Sequence, residues 1–382
     1  MSAGPRNARI DLLRGVSILL VLLHHFNIPY SLRDTALSRA FGWDAVHAVV
    51  RNGNYGVTMF FVISGYLITS NARRRWGSLA AIDMRAFYVS RVARIMPCLL
   101  LLLALVNGLA AAGVPIFANH APQGVTVSFC LVNLASLTFW MNVLIGAYGW
   151  VNYALGVLWS LSVEEVFYLS FPLLCIALRR DARLLAFWAL VILIGPVYRL
   201  THSGDEDGFL YAYLACFDGI AIGCCAAVLA DRPRWRAFAQ PAVQWLAAAA
   251  MTVLYFAWPI AQSHVAGVTA MALATAVLLA GAHARAAGGD ARGSRLLAPL
   301  RWSGRLSYEL YLFHLVVLGS MRTLFPPRAT SGDDRLLLLA AYLVLSAGLS
   351  AAIARGYATP LDRLIKRQWA RAPARRPDGA RV

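Results

Sequence analysis

Long apolar runs alternate with short polar connections along this chain. The runs cover about residues 10–28, 54–72, 91–113, 158–178, 184–200, 209–230, 241–258, 265–284, 306–324 and 336–354. Each is close to the ~20 residues that an α-helix needs to cross the hydrocarbon core of a bilayer. The pattern predicts an all-α fold, a polytopic transmembrane helical bundle of about ten membrane-spanning helices.

One further apolar segment does not fit the count of crossings. Residues 128–146, SFCLVNLASLTFWMNVLIG, carry Asn133 and Asn142 within the run. If this segment crossed the membrane fully, the basic connection 179–183 would lie outside, against the rule that arginine-rich connections face the cytoplasm. We therefore expect a re-entrant or interfacial segment here.

The arginine-rich connections predict how the bundle is oriented. They lie at 72–94, 179–183, 231–236 and 285–305, and they indicate cytoplasmic loops. With ten crossings, both termini are then cytoplasmic, as in a multi-pass protein of the inner membrane. We expect one transmembrane domain over residues 1–358 and a basic, disordered cytoplasmic tail over 359–382.

Composition narrows the classes of partner. Hydrophobic residues make up 59% of the chain, and the net charge is +17, but the basic residues lie in short connections rather than in a soluble module. This excludes a nucleic-acid-binding face and leaves membrane lipid as the surrounding partner. The six cysteines lie mostly inside apolar runs without paired spacing, which favours core-filling roles. We expect no metal and no tightly bound cofactor.

Ionisable side chains stand at both ends of the first apolar run. Arg14 and His25 are eleven residues apart, so on a helix they return to within about 20° of the same face, about 16 Å apart along the axis. His24 lies roughly 80° off that face. Ionisable groups inside spans usually face a protein interior or a water-filled cavity. The shared face therefore predicts a functional pair.

Two adjacent carboxylates interrupt the apolar segment LWSLSVEEVFYLSFP at 158–172. Glu164 lies four residues before Tyr168, and Glu165 lies three before it, so at most one of them shares a given face. A buried carboxylate must be paired, hydrogen-bonded or protonated. We expect one of the two to act in the site or to orient it.

A polar stripe marks the segment RLSYELYLFHLVV at 305–317. Ser307, Tyr311 and His314 follow the spacing i, i+4, i+7 on one helical face, and Glu309 lies off it. Such a stripe of hydroxyl, phenol and imidazole predicts the lining of a cavity. Earlier in the chain, Gly65 beside Ser64 predicts a close approach of two helices.

These motifs, in this order, resemble those of the acyltransferase-3 family of bacterial integral-membrane O-acyltransferases. The strings are Arg14-x10-His25, FFVISGYLIT, RVARIMP, LWSLSVEEVFYL and LSYELYLFH, and together they span about residues 8–320. The resemblance implies that His25 is the essential histidine and Arg14 its paired arginine. It also implies that Arg91 and Arg94 are the paired arginines ahead of the third span and that Glu164 is the motif's acidic residue.

The expected function is transfer of an acyl group, most simply acetyl, from acyl-CoA as co-substrate to a hydroxyl. The acceptor would be a surface or exported glycan, a lipid-linked sugar or a small molecule. Arg91 and Arg94 would meet the donor's phosphates, with Arg14, Tyr311 and His314 also binding substrate. His25 would act as general base or, alternatively, form an acyl-histidine.

Two alternatives remain open at this point. Intramembrane Arg, His and Glu residues also mark secondary transporters and exporters, although the chain lacks the repeats that many transporters carry. The other alternative is a non-catalytic partner in polysaccharide assembly.

Overall fold

The structure is a computed structural model that describes residues 7–120, 122, 124, 126–287 and 294–371. It is 82% helical, and the described part of the chain contains no strand. The helices of the first half are α1 Ala8–Asn27, α2 Ala36–Phe41, α3 Trp43–Val50, α4 Asn54–Trp76, α5 Met84–Ala111, α6 Phe129–Leu137, α7 Met141–Tyr148, α8 Leu158–Leu178 and α9 Asp181–Thr201.

The second half continues the same all-helical pattern. Its helices are α10 Glu206–Tyr211, α11 Tyr213–Leu229, α12 Pro241–Ala257, α13 Ile260–Ser263, α14 Ala266–Ala287, α15 Ala298–Arg305, α16 Ser307–Leu324, α17 Asp334–Ile353 and α18 Thr359–Arg371. A π-helical turn, Ala354–Ala358, joins α17 to α18.

The chain is a multi-pass membrane protein, and its predicted count of ten crossings is approximate. Within the described ranges, seven helices are long and apolar enough to cross a membrane, and the bent pair Pro233–Ala239 and Pro241–Ala257 makes an eighth. Two expected crossings, α4 and α16, fall outside this set. Both carry polar side chains that face the protein interior, so their sequences are less apolar than those of lipid-facing spans.

The segment at 128–146 is not one continuous helix, which agrees with the expectation that it is not a single full crossing. It forms two short helices, α6 and α7, separated at residues 138–140, where Phe139 has a φ of 62°. The Asn133 side chain exchanges a hydrogen bond with Asn107 of α5 at 2.7 Å, and the Asn142 amide donates to the Tyr211 carbonyl at 3.2 Å. The segment is therefore held by polar contacts and is not one continuous crossing.

Helix α4 packs closely against α11. A Cβ atom at Gly65 would meet the Ile220 carbonyl of α11, and one at Gly223 would meet the Val62 carbonyl of α4. The expectation that Gly65 permits close approach is therefore confirmed. Helix α4 also contacts α1 and α14, and α1 contacts α15 and α16. These contacts bring the polar faces of α1, α4 and α16 together.

The expected disordered tail is wrong for its first thirteen residues, which form α18. Leu361, Leu364, Ile365 and Trp369 recur at helical spacing, so the segment has an apolar stripe that its basic composition obscures. Helix α18 packs against α5, with the Arg85 guanidinium 5.2 Å from the Trp369 ring centroid. Residues 372–382 and part of the connection 285–305 lie outside the described residues.

Candidate active site

A cavity of about 490 Å³ opens between α1, α4, α5, α8 and α16. Its polar lining gathers residues that are far apart in the sequence. They are Asp11, Arg14, Ser64, Asn71, Ser90, Arg91, Arg94, Ser160, Glu164, Glu165, Tyr168, Arg305, Ser307, Tyr308, Tyr311 and Lys366. Five of the seven residues expected at the site, namely Arg14, Arg91, Arg94, Glu164 and Tyr311, therefore line one cavity.

Arg14 connects α1 to the polar stripe of α16. Its Nε donates to the Ser307 hydroxyl at 3.1 Å. The carboxylates of Asp11, Glu164 and Glu309 interact favourably with its charge, and Arg94 opposes it. These carboxylates offset part of the cost of placing a charged guanidinium in the protein interior.

His25 lies farther along α1 and contacts the other end of that stripe. The His25 and His314 ring centroids are 4.9 Å apart, and His314 Nε2 is 3.4 Å from His25 Nδ1. Neither ring is among the residues that line the cavity. Tyr311 does line it, and its ring centroid is 5.9 Å from that of His314. The two histidines therefore lie next to Tyr311, on its side away from the cavity.

Backbone carbonyls assign the tautomers of these two rings. His25 Nδ1 is 2.9 Å from the Val21 carbonyl, and His314 Nδ1 is 2.7 Å from the Tyr311 carbonyl. A carbonyl oxygen only accepts, so in each neutral ring the proton resides on Nδ1. His25 Nε2 then carries a lone pair, which is the form that a general base requires.

His24 turns away from this arrangement, in agreement with its helical register. Its Nδ1 is 3.0 Å from the Val50 carbonyl. A Cβ atom at Gly53 would lie 2.7 Å from the His24 Cγ, so this ring packs closely against the chain that follows α3. These contacts indicate a packing role for His24.

Both carboxylates of α8 line the cavity, although successive residues lie about 100° apart around a helix. The Ser64 hydroxyl donates to Glu164 Oε1 at 2.8 Å, and the Tyr168 hydroxyl donates to Oε2 at 3.4 Å. Glu165 is 6% exposed, and among the described residues its Oε1 has no hydrogen-bond partner. The cavity borders α4 beside Glu164 and extends to Arg91 of α5, whose charge acts on both carboxylates.

Arg91 and Arg94 lie one turn apart on α5, and both face the cavity. The Arg91 guanidinium lies 5.2 Å from the Tyr168 ring centroid. The Arg94 guanidinium lies 5.0 Å from the Tyr308 ring centroid, and its Nη1 donates to Glu309 Oε1 at 3.1 Å. Aromatic rings thus hold both planar groups while leaving several N–H donors available.

The predicted stripe of α16 contacts two other helices, α1 and α8. Ser307 meets Arg14 of α1, the Tyr311 hydroxyl accepts from Ser160 of α8 at 2.7 Å, and His314 meets His25 of α1. The Tyr311 hydroxyl also donates to the Val157 carbonyl at 3.2 Å. The stripe therefore extends from the charged cavity to the histidine pair.

Sequence reasoning missed several residues of the site. Glu309 was placed off the stripe, and yet it pairs with Arg94; Ser160, Tyr308, Arg305 and Lys366 also line the cavity or support it. Of these residues, only Tyr308 could have been suspected from the sequence, because it directly follows Ser307 of the polar stripe. Nothing in the sequence connects position 94 with position 309, since that pairing depends on which helices are neighbours.

A second polar network lies away from the cavity. The Arg199 guanidinium donates to Asp218 at 2.7 Å and to the Thr269 hydroxyl at 2.6 Å, and Thr269 donates to Asp218 at 2.8 Å. Arg199 and Asp218 are 0% and 1% exposed. This buried, hydrogen-bonded pair ties α9, α11 and α14 together and indicates a structural role.

The chain is similar to known acyltransferases. A family model described as an acyltransferase domain, acyltransferase-3, matches residues 7–355. The chain is 26% identical over 332 residues to "Putative peptidoglycan O-acetyltransferase YrhL" of Bacillus subtilis (strain 168), covering 81% of this chain and 48% of the relative. It is 27% identical over 163 residues to "Peptidoglycan O-acetyltransferase OatA" of Listeria monocytogenes, covering 43% of this chain and 23% of the relative. The matched part is thus less than half of either relative, and no solved structure matches the chain.

Proposed function

The chain belongs to the acyltransferase-3 family, and from that membership we propose that it is a membrane O-acetyltransferase. It moves an acetyl group from acetyl-CoA to a hydroxyl of a glycan. It does so in the cytoplasmic membrane, with both termini and the arginine-rich connections on the cytoplasmic side. The names of the two relatives, "Putative peptidoglycan O-acetyltransferase" and "Peptidoglycan O-acetyltransferase", support acetyl as the group and a glycan as the acceptor.

The observation that carries this proposal is the line of contacts from the cationic cavity to His25. The phosphates of a CoA donor would bind to Arg91 and Arg94, because one guanidinium group can donate two parallel hydrogen bonds to a phosphate. The acyl arm would extend past Tyr311, which lines the cavity, towards the His25–His314 pair. The donor's phosphates and its acyl group would then bind at different depths of the helix bundle, the phosphates at the two arginines and the acyl group near His25.

His25 Nε2 performs the proton transfer in this proposal. It takes the proton of the acceptor hydroxyl while that oxygen attacks the thioester carbonyl. The carbon–sulfur bond then breaks, and the protonated His25 ring returns the proton to the leaving sulfur, so the products are an oxygen ester and free CoA thiol. In a route through an acyl-histidine, the same nitrogen would be the nucleophile. His314 contacts His25 Nδ1 and holds the ring in position.

Purified protein with acetyl-CoA and a soluble peptidoglycan fragment tests the proposal. We expect release of CoA thiol that depends on the fragment, and mass spectrometry should find the fragment heavier by one acetyl group. Transport is the competing function. Movement of the fragment across sealed proteoliposomes without any loss of acetyl-CoA would contradict the enzyme and support a transporter.

A further inference from the structure

Helix α18 lies beyond the part of the chain that the family model matches, and yet it reaches the candidate active site. The family match ends at residue 355, and α18 comprises Thr359–Arg371. One of its residues, Lys366, lines the cavity together with Arg14, Arg91, Arg94 and Arg305. The helix therefore adds a cation to the cavity from outside the family's matched region.

The length of this helical region explains how it reaches the cavity mouth. Residues Asp334–Trp369 form a helical stretch of 36 residues, which at 1.5 Å per residue is about 54 Å long. The bilayer core is only about 30 Å thick. The last turns must then project beyond the membrane, and α18 packs there against α5, the helix that carries Arg91 and Arg94. The cation–π contact between Arg85 of α5 and Trp369 of α18 joins the two helices.

The ion pair of Lys366 leaves its ammonium group accessible. Nζ lies 2.6 Å from Asp362 Oδ1, one turn earlier on the same helix, and the Lys366 side chain is 45% exposed. Asp362 is 23% exposed, so the pair is open to solvent mainly on the lysine side, and such partly exposed pairs contribute little to stability. Its lysine can exchange the carboxylate for a phosphate at small cost, because the ammonium is a compact charge on a flexible stem.

We propose that α18 forms part of the donor-binding site and that Lys366 binds a phosphate of the nucleotide portion of the acyl donor. Asp362 holds the ammonium at the cavity mouth and competes with that phosphate. Arg91 and Arg94 lie on the neighbouring helix and bind the other phosphates. This inference rests on the proposed use of acetyl-CoA and extends it to a residue outside the matched family region.

Equilibrium binding of CoA to the purified full-length protein tests this inference without turnover. Lys366→Gln should weaken binding about 3- to 10-fold, since it removes one charge-assisted contact at a partly exposed site. Arg367→Gln is the matched control, because Arg367 is an exposed cation on the same helix that does not line the cavity. Its binding should equal that of the parent. Asp362→Asn should strengthen binding, because it removes the competing carboxylate.

The outcomes separate this inference from the proposed function. If the parent binds CoA and Lys366→Gln binds it equally well, the role of Lys366 is overturned while the donor remains CoA. If Lys366→Gln and Arg367→Gln weaken CoA binding equally, the effect comes from the net charge of the helix, and the specific role of Lys366 is overturned as well. A parent that fails to bind CoA would overturn both proposals. The loss in Lys366→Gln should also disappear with pantetheine, which has no phosphates.

Discussion

Arg91 and Arg94 are the residues whose surroundings best match recognition of a phosphorylated donor. Each guanidinium lies against a tyrosine ring, which fixes its plane. Arg94 also uses one N–H for Glu309, whereas Arg91 Nε has no partner among the described residues. An arginine that only sets topology needs neither a ring nor a cavity. Their positions therefore suggest a binding role in addition to orientation.

Replacement of both arginines by lysine separates these two roles. The Arg91→Lys/Arg94→Lys variant keeps the charge and so keeps the topology, but it loses the paired N–H donors and the stacking. We expect the KM for acetyl-CoA to rise about 10-fold, with normal insertion into the membrane. Arg75→Lys, at another arginine of the connection 72–94 that does not line the cavity, is the control. An unchanged KM in the double variant would mean that these arginines only determine the topology and do not bind the donor.

At the residue scale, helical period explains what the sequence could predict. It placed Arg14 and His25 on one face, placed His24 off it, and put Ser307, Tyr311 and His314 on one stripe. It could not predict contacts between helices, such as Arg94 with Glu309, because these depend on how the bundle assembles. It also underestimated the cavity at α8, which reaches both Glu164 and Glu165.

At the scale of elements, the contact between α4 and α11 positions the cavity wall. Gly65 and Gly223 allow the two backbones to approach, and Ser64, next to Gly65, contacts Glu164 across the cavity. A shift of α4 would therefore move a polar partner of the site. The sequence could identify Gly65 by its position in mid-span, but it gave no reason to single out Gly223, whose role depends on the facing helix.

Gly223→Ala tests this contact. The added methyl group would meet the Val62 carbonyl and the Tyr66 backbone nitrogen, so one helix must move. We expect a loss of about 1–3 kcal/mol in unfolding free energy, as for other overpacked cores. Thermal unfolding in detergent measures it. Gly108→Ala is the matched control, since no atom lies within 4 Å of the position of its added Cβ. Equal Tm values for the two variants would contradict close packing at Gly223.

At the scale of the whole molecule, composition and charge predicted the class of fold but not every boundary. The hydrophobic runs predicted a helical membrane bundle, and the count of crossings together with the internal asparagines predicted that 128–146 is not a single crossing. The same compositional reasoning failed at α18, where basic residues obscure the helical spacing of the apolar residues in a helix that packs on α5. The orientation of the bundle remains a prediction from the arginine-rich connections.

Cysteine accessibility on intact cells measures that orientation. Ser203 follows α9, Ser294 precedes α15, and both are exposed. Single cysteines are placed at each position in a background without the native cysteines. An impermeant thiol reagent should label position 203 and should leave position 294 unlabelled. The reverse pattern would overturn the proposed topology and, with it, the cytoplasmic position of the arginines.

The central claim is that His25 Nε2 is the base for acetyl transfer, and the rate of ester formation tests it most directly. The rate is measured with purified parent, His25→Ala and His24→Ala, using acetyl-CoA and a peptidoglycan fragment. Removal of a general base typically costs about 10²- to 10⁴-fold, so His25→Ala should fall by that factor while remaining folded and monodisperse. His24→Ala should retain most activity, because its ring faces Val50 instead. An active His25→Ala together with an inactive His24→Ala would contradict the account.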